Sequence, residues 1–350
     1  MKALVTGGGG FLGGAIVAQL MEQGHQVTTF SRGRYPRVEA LGARCLQGDL
    51  SDPPAVSQAV AGCDVVFHVA ARAGIWGSFE EYFDANVRGT LNVLDACRAH
   101  RISRLVYTSS PSVTFGGEES LGSDERLPYP RRFLNHYSRT KAMAERMVLG
   151  ANGHDGLSTV SLRPHIIWGP HDNHILPRLI ARAREGKLLQ VGNGTNRVDI
   201  TYVDNAARAH LQAAERLSPE SPVAGRAYFL SQGEPVALWP WINDLLIRLG
   251  IAPVRRKIPF RAAYALGAVL EFAHGVIGLG KGGLRPPPSN PRLGEPRMTR
   301  FVACQLGMSH FYNIEAAHRD LGYQARVSTA EGLERTVAWL QQAPPVPTHA

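Results

Sequence analysis

Thr6-Gly7-Gly8-Gly9-Gly10-Phe11-Leu12-Gly13 stands between a short apolar run, 2–6, and a segment, 11–21, whose apolar residues recur with helical periodicity. The glycines satisfy both G-x-G-x-x-G and T-G-x-x-G-x-x-G, the patterns of a dinucleotide-binding turn. Glycine is needed because the backbone must turn sharply and approach a pyrophosphate, while Gly13 lets the helix pack closely on the strand. The order of strand, turn and helix favours this interpretation over a merely flexible loop.

Strands and helices continue to alternate through the first half of the chain. Further strands are predicted at 27–30, 44–46, 64–70, 105–109 and 159–162, and further helices at 54–61, 82–100 and 137–149. This rhythm predicts an α/β fold with a doubly wound parallel sheet, the Rossmann architecture. We expect an NADP-binding domain at 1–163, a smaller C-terminal α/β substrate-binding lid at 164–342 interleaved with the last Rossmann elements, and a disordered tail at 343–350.

The bulk composition bounds the class of protein. With 350 residues, of which 44% are hydrophobic and 19% charged, the chain has the composition of a soluble globular protein. It shows no secretory signal, and its four scattered cysteines form no C-x-x-C pair, so we expect reduced thiols and a cytoplasmic location. The net charge of +9 is dispersed and accompanies no nucleic-acid-binding motif, so we expect no nucleic-acid partner.

A basic run precedes the apolar stretch 260–279. Arg255-Arg256-Lys257 and Arg261 supply the charge, while Glu271 and His274 interrupt the stretch itself. With fewer than ~20 uninterrupted apolar residues, the stretch is a poor transmembrane span. A helix that lies on the inner face of the membrane, or that covers an acyl chain, fits better, and an ordinary buried lid helix is the alternative.

The end of the second predicted strand bears on the choice of cofactor. It reads Thr29-Phe30-Ser31-Arg32-Gly33-Arg34, without the carboxylate that usually binds the ribose 2′-hydroxyl of NAD. An arginine fork matches a 2′-phosphate, so NADP(H) is favoured, the alternative being two ordinary surface charges. Asp49 and Leu50 follow the third strand and are candidates to flank the adenine, although Asp49 could equally be a turn residue.

Tyr137 and Lys141 form a pair on one predicted helix. Positions i and i+4 lie on the same helix face, so the phenol and the ammonium can address one point in space. A free tyrosine has a pKa of about 10, and a neighbouring cation favours the phenolate, so we expect Lys141 to lower that pKa. The pair predicts a general acid or base, and a solvated lysine beside a packed ring is the alternative.

Six motifs occur in a fixed order: the glycine turn, Gly48-Asp49-Leu50, His68-Val69-Ala70-Ala71, Asn86-Val87-Arg88-Gly89-Thr90, Tyr107-Thr108-Ser109-Ser110, and Tyr137-x-x-x-Lys141. So arranged, the sequence resembles the extended short-chain dehydrogenase/reductases, and within them the 3β-hydroxysteroid dehydrogenase branch, from residue 1 to about 323. Four further segments are similar to the bacterial 2-alkyl-3-oxoalkanoate reductases of long-chain olefin biosynthesis: Ala73-Gly74-Ile75-Trp76-Gly77, Pro111-Ser112-Val113-Thr114, Trp168-Gly169-Pro170-His171-Asp172-Asn173-His174 and Pro296-Arg297-Met298-Thr299-Arg300.

The resemblance implies a role for individual residues. Tyr137 is then the acid or base, Lys141 holds the nicotinamide ribose, and Ser110 binds the substrate oxygen, with Ser109 as the fallback. Asn86 supports the active site, and the Arg163-Pro164 step passes beside the nicotinamide. Pattern and resemblance together give this expected cofactor-binding set: Gly7, Gly10, Phe11, Leu12, Gly13, Ser31, Arg32, Asp49, Leu50, Ala70, Ala71, Tyr137, Lys141 and Pro164.

The implied activity is the NADPH-dependent reduction of the 3-keto group of a lipid-like 2-alkyl-3-oxoalkanoic acid. A 3β-hydroxysteroid or sterol 4-carboxylate 3-dehydrogenase, a nucleotide-sugar epimerase or dehydratase, and a non-enzymatic binding module are the alternatives. The resemblance also implies a homodimer and assembly with other olefin-biosynthesis enzymes. His171-x-x-His174 with Asp172 has a spacing that metal ligands can have, but further ligands are not evident, and we expect no metal.

Overall fold

The computed structural model describes residues 1–279 and 295–342. The strands are β1 (Lys2–Thr6), β2 (Gln26–Ser31), β3 (Arg44–Gln47), β4 (Val65–His68), β5 (Arg104–Thr108), β6 (Ser120–Ser123), β7 (Ser158–Pro164), β8 (Ile167–Trp168), β9 (Gln190–Val191), β10 (Arg197–Val198), β11 (Thr201–Tyr202), β12 (Arg226–Leu230), β13 (Val236–Ala237), β14 (Lys257–Ile258) and β15 (His310–Tyr312).

The α-helices are α1 (Phe11–Glu22), α2 (Pro36–Glu39), α3 (Pro53–Val60), α4 (Phe79–Phe83), α5 (Gly89–Ala99), α6 (His136–Gly150), α7 (Ile175–Arg184), α8 (Val203–Arg216), α9 (Leu238–Arg248), α10 (Phe260–Leu279), α11 (Arg300–Gly307) and α12 (Thr329–Gln342). None of the helices in the described ranges is long and apolar enough to cross a membrane.

Seven parallel strands form the central sheet, in the order β12-β7-β5-β4-β1-β2-β3. The strand order reverses between β1 and β4, and α/β sheets bind ligands outside the carboxyl ends of the strands at such a point. Each strand predicted in the first half is present with bounds shifted by a few residues, and the doubly wound prediction is confirmed. The edge strand β12 lies far along the chain, so residues after 164 complete the sheet.

Two apolar layers cover the sheet. On one face α1 and α8 pack against each other and on strand residues such as Val5, Val106 and Val160. On the other face, the helices α3, α5 and α6 bury Leu4, Val66 and Leu105. Because both faces are covered, the central strands read as continuous apolar runs in the sequence. The site at the strand ends therefore has a rigid support.

A third apolar cluster lies in the C-terminal part. It contains Trp168, Trp239 and Trp241 and residues of α7, α9, α10 and α11. A smaller sheet, β13-β10-β15-β6, stands beside it. The sequence did not predict α7, α11 or these short strands. The proline-rich segment 285–291, for which the sequence predicts a rigid or disordered connector, and the predicted tail at 343–350 lie outside the described residues.

The helix predicted at 82–100 differs from the prediction in one respect. It runs without a break from Phe79 to Ala99, but Asp84–Arg88 form a π turn between α4 and α5. A π turn holds one residue more than the regular helix and is frequent at functional sites. Asn86 lies within this turn.

Candidate active site

The glycine turn has the tight geometry that its sequence predicted. Gly7 adopts a left-handed φ of +69°, and a Cβ there would lie 2.8 Å from the Ala70 Cα. A Cβ at Gly13 would overlap the Gly7 carbonyl oxygen. The N-terminus of α1 begins at Phe11, directly after the turn. These contacts leave no room for side chains in the turn after β1. Without side chains there, a pyrophosphate can approach the backbone closely.

The carboxyl end of β2 lies beside this turn. The Gly9 N–H donates to the Ser31 hydroxyl at 3.4 Å, and the ring of Tyr35 covers Gly9, a contact that the sequence did not predict. A cavity of about 220 Å³ opens here, lined by Ser31, Tyr35 and Gln47 among others. Arg32 is exposed, and Arg34 forms an exposed ion pair with Glu39 at 3.2 Å. Since Glu39 occupies the Arg34 fork, Arg32 is the better candidate for a phosphate.

Asp49 and Leu50 follow β3 in the positions that were predicted for them. The Asp49 carboxylate accepts the backbone N–H and the hydroxyl of Ser51, both at 2.8 Å, so it has the turn role that was the alternative. These bonds from Ser51, with a smaller effect of the Arg32 charge, lower the pKa of Asp49 despite its partial burial. Leu50 packs against the Gly89 backbone of α5.

A buried histidine connects the glycine turn to the long helix. His68 Nδ1 lies 2.8 Å from the Thr6 hydroxyl, and Nε2 lies 2.9 Å from the Thr90 hydroxyl. The Thr6 oxygen already accepts the N–H groups of Val69 and Ala70, so its own proton goes to Nδ1. Burial, with the Lys141 charge, lowers the pKa of His68 to about 3. His68 is therefore a neutral structural link, and the two alanines after it are held at the turn.

Tyr137 and Ser110 meet above the ends of the sheet. Tyr137 lies in the first turn of α6, which Asn135 caps by accepting the Ser138 N–H at 2.7 Å. Burial raises the pKa of the Tyr137 phenol, and the neighbouring Ser110 hydroxyl lowers that pKa in part. Ser109, by contrast, is buried beside Glu145. Of the two serines, Ser110 is thus the one next to the phenol.

Lys141 lies one turn further along α6 and is buried. Its ammonium donates to the Thr108 carbonyl and stands 4.2 Å from the centre of the Tyr107 ring. Burial lowers the pKa of Lys141 to about 7, against an opposing effect of Glu145. The predicted lowering of the Tyr137 pKa by Lys141 is wrong for this structure, because burial is the dominant effect on the phenol.

A buried ion pair under Lys141 was missed in the sequence. Glu145, one turn after Lys141, accepts three hydrogen bonds from Arg163, at 3.2 and 3.0 Å from Nε and at 2.6 Å from Nη2. Ser161 and Tyr129 donate to the same carboxylate at 2.7 and 2.8 Å. Arg163, predicted only as a residue beside the nicotinamide, thus fixes β7 to α6, and Pro164 is buried at the end of that strand. The i+4 spacing of Glu145 from Lys141 was a signal that could have identified the carboxylate.

Asn86, for which the resemblance implies a supporting role, is buried and hydrogen-bonds two other parts of the chain through its side chain. Its side-chain oxygen accepts the Arg72 N–H at 2.7 Å, and its amide donates to the Arg72 carbonyl at 3.2 Å and to the Thr140 hydroxyl at 3.1 Å. Its own carbonyl accepts the Thr90 hydroxyl at 2.6 Å, which satisfies a group that the π turn displaces. Asn86 therefore joins the loop after β4 to the helix that carries Tyr137 and Lys141.

Aromatic residues, here called the aromatic entrance, connect Tyr137 to the C-terminal region. The Tyr82 ring makes an edge contact with Tyr137, with 6.4 Å between centroids, and donates its hydroxyl to the Trp76 carbonyl at 3.2 Å. The Trp76 ring contacts His274 of α10 at 5.9 Å. α10 in turn packs on α11 through Gly267 and through an ion pair of Glu271 with Arg300 at 2.6 Å. The C-terminal region thus reaches the entrance.

The His171 to His174 segment has a local structural role. Asp172 is buried and accepts the N–H groups of His174, Ile175 and Leu176 at 2.8, 3.1 and 3.0 Å, so it caps the start of α7. His171 packs on Trp339. Across 1–279 and 295–342, no group of three or more His, Cys, Asp or Glu residues is arranged to hold a metal ion.

Residues 4–260 match the 3-beta hydroxysteroid dehydrogenase/isomerase family. The chain belongs to that family, and is thus an oxidoreductase of the Rossmann type. It is 50% identical over 341 residues to the 2-alkyl-3-oxoalkanoate reductase of Stenotrophomonas maltophilia, which covers 97% of this chain and 99% of that protein. The 2-alkyl-3-oxoalkanoate reductase of Shewanella oneidensis is 49% identical over 345 residues, 97% of this chain and 86% of that protein.

Among solved structures, MoeE5 in complex with UDP-glucose and NAD has a TM-score of 0.71 at 25% identity, covering 97% of this chain and 99% of that one. The glycine turn of the present chain, which a Cβ at Gly7 or Gly13 would obstruct, fits a dinucleotide.

Proposed function

We propose that the protein reduces the 3-keto group of a 2-alkyl-3-oxoalkanoic acid to the 2-alkyl-3-hydroxyalkanoic acid with NADPH, as a step of long-chain olefin biosynthesis. The observation that carries the reaction type is the meeting of Tyr137 and Ser110 beside the buried Lys141, at the strand ends next to the glycine turn. The assignment of the substrate rests on the 49% and 50% sequence identity to two 2-alkyl-3-oxoalkanoate reductases, each over 97% of this chain.

The dinucleotide would lie along the glycine turn and the N-terminus of α1, with Lys141 at its nicotinamide ribose. When bound, NADPH supplies the hydride that reduces the ketone carbon. Ser110 donates a hydrogen bond to the ketone oxygen and orients it, and Tyr137 gives that oxygen its proton. Because burial raises the pKa of Tyr137, the phenol is protonated at neutral pH, as a general acid for reduction must be. Lys141, with a pKa of about 7, can exchange a proton near working pH and so help to reprotonate the phenol.

The preference for NADPH over NADH is part of the proposal. Arg32 is exposed at the carboxyl end of β2, close enough to Asp49 for its charge to act on that carboxylate. A guanidinium at this edge matches a ribose 2′-phosphate. Arg32→Gln should therefore raise the KM for NADPH and leave that for NADH unchanged. A wild-type preference for NADH would contradict this part of the proposal.

The test of the activity is consumption of NADPH by the purified protein with a 2-alkyl-3-oxoalkanoic acid, prepared immediately before use because it decarboxylates, beside a 3-ketosteroid. Reduction of the acid with net loss of NADPH supports the proposal and excludes an epimerase or dehydratase, which regenerates its cofactor. Reduction of the steroid alone would instead support a 3β-hydroxysteroid dehydrogenase, which the family membership favours as second candidate. Tyr137→Phe should abolish turnover but retain NADPH binding in either case.

We also propose that α10 binds the inner face of an anionic membrane from the cytoplasm. One side of α10 packs on α11, while Leu266, Val269 and Phe272 on the other side are 43%, 63% and 74% exposed. The exposed cations Arg255, Arg256, Lys257 and Arg261 lie just before this apolar face. The apolar side chains would enter the acyl boundary of a membrane, and the basic side chains would contact the anionic lipid headgroups.

Cosedimentation with phosphatidylglycerol vesicles tests the membrane proposal. Phe272→Ser should weaken binding, high salt should weaken it further, and Leu91→Ser, which changes an exposed apolar residue on α5, should have no effect. Equal binding to neutral vesicles, or none to either kind, would refute it. We further propose that the protein forms a homodimer and assembles with other olefin-biosynthesis enzymes. Its molecular mass in solution tests the dimer, and the same measurement with those enzymes added tests the assembly.

A further inference from the structure

Arg72 lies in the loop after β4, with its main chain hydrogen-bonded and its side chain partly exposed. It follows Ala70 and Ala71, and Asn86 holds both its N–H and its carbonyl, at 2.7 and 3.2 Å. Asn86 itself is buried and bonds Thr140 on the helix of Tyr137. The main chain of Arg72 is thus fixed relative to the proton donor, while about a third of its side-chain surface, 35%, is open to solvent.

The guanidinium of Arg72 lies over the Tyr82 ring of the aromatic entrance. Its Cζ lies 5.4 Å from the centre of the Tyr82 ring, and that ring contacts Tyr137. Gly77 packs against the same group, since a Cβ there would lie 3.1 Å from the Tyr82 ring and 3.2 Å from the Glu81 carboxylate. The loop 72–77 and Tyr82 therefore place a cation one aromatic ring away from Tyr137.

The hydrogen-bonding capacity of this guanidinium is only partly used. A single nitrogen, Nη2, contacts Glu81 at 3.1 Å, and the same Glu81 oxygen also accepts the Ser78 N–H in the capping box of α4. Within the described part of the chain, Nε and Nη1 of Arg72 make no hydrogen bond. An arginine fork can bind a carboxylate with two parallel bonds, so Arg72 retains the geometry for a bidentate partner.

Three other cations on elements of the site and its surroundings are engaged differently. Lys141 is buried under the site and donates to the Thr108 carbonyl. Arg300 is held by Glu271 through both its backbone N–H and its Nε. Arg139 lies over the Phe79 ring on an exposed face of α6. Of these four cations, Arg72 is the one that has a partly exposed side chain, a fixed main chain and N–H donors without a partner among the described residues.

We propose that Arg72 binds the carboxylate of the substrate and so selects 3-oxo acids over neutral ketones. This inference rests on the proposed function, in which the carboxylate is two carbon–carbon bonds from the ketone carbon. A cation beside the entrance would hold the acid end while Ser110 and Tyr137 address the ketone oxygen. The aromatic rings and α10 would then face the alkyl chains.

The test uses the oxidation of a 2-alkyl-3-hydroxyalkanoic acid by NADP⁺, since a β-keto acid loses carbon dioxide on its own. Its methyl ester is the neutral counterpart. Arg72→Gln should raise the KM for the acid by about 10- to 100-fold, as expected for a lost charge-assisted hydrogen bond, with little change in kcat or in the kinetics of the ester. Arg72→Lys should recover part of the affinity for the acid. Arg88→Gln, which removes an exposed arginine paired with Asp84 on the adjoining π turn, is the matched control and should behave as wild type.

Three results would overturn the inference. Equal loss for acid and ester would make Arg72 a general structural residue. A raised KM for NADP⁺ in Arg72→Gln would place the cation at the cofactor instead. Unchanged kinetics with the acid would show that Arg72 does not touch it. If the wild-type protein oxidises neither acid nor ester but oxidises a 3β-hydroxysteroid, the proposed function fails and this inference with it, a result that the wild type alone reveals.

Discussion

The ion pair of Glu145 and Arg163 should be essential to the stability of the fold. The two side chains are 0% and 4% exposed, and the carboxylate accepts Arg163, Ser161 and Tyr129 together. Glu145→Gln would leave the Arg163 guanidinium buried without its counter-ion. Arg163→Met would leave the Glu145 carboxylate buried without its counter-ion. Removal of one partner of a buried pair typically costs about 3–5 kcal/mol, far more than the about 0–1 kcal/mol of a surface pair.

Urea unfolding, followed by far-ultraviolet circular dichroism, measures the cost. Each single variant should lose about 3 kcal/mol or more of the free energy of unfolding. The double variant Glu145→Gln/Arg163→Met should lose clearly less than the sum of the two, because neither buried charge is then unpaired. Asp244→Asn, which breaks the exposed pair of Asp244 with Arg248, is the control and should cost under about 1 kcal/mol. Single variants that cost no more than this control would refute the reasoning.

Three further changes have expected outcomes. Gly13→Ala would overlap the Gly7 carbonyl, so it should weaken NADPH binding at least about tenfold in a fluorescence titration; unaltered affinity would contradict the tight turn. Burial lowers the pKa of His210 to about 4, so between about pH 6.5 and pH 4 the unfolded chain binds a proton there that the folded chain does not. The free energy of unfolding should therefore decrease as the pH is lowered from 6.5 to 4, and it should decrease less in His210→Gln. Asp172→Ala removes the cap of α7 and should lower the free energy of unfolding by about 0.5–2 kcal/mol in thermal unfolding. Treatment with EDTA should leave the activity of the wild type and of this variant unchanged, and a loss of activity would instead support a metal site at 171–174.

The sequence predicted the sheet well because its strands carry a simple signal. Each central strand is buried on both faces, which requires a continuous apolar run, and the glycine turn allows only one backbone path. The pair of Tyr137 and Lys141 was equally readable, since helical spacing alone puts both on one face. Local periodicity and local spacing were sufficient in these cases.

The remainder depends on contacts between distant parts of the chain. Glu145 and Arg163 read as ordinary charges until the fold brings α6 onto β7. The raised pKa of Tyr137 reflects burial, which no spacing of two residues reveals. The edge strand β12 and helix α7 lie among loops and short elements, where periodicity is weak. The cap role of Asp172 was equally hidden, because a cap and a metal ligand use the same carboxylate.

The π turn at Asp84–Arg88 also constrains how this chain can change length. The extra residue alters the phase of the helix by roughly 100°, so α4 presents Tyr82 toward Tyr137 while α5 still turns Gly89 toward Leu50. Deletion of a single codon here would restore a regular helix that looks intact by circular dichroism, yet one half would face the wrong way. We expect tolerated insertions and deletions to lie in the loops on either side of Phe79–Ala99, and not within it.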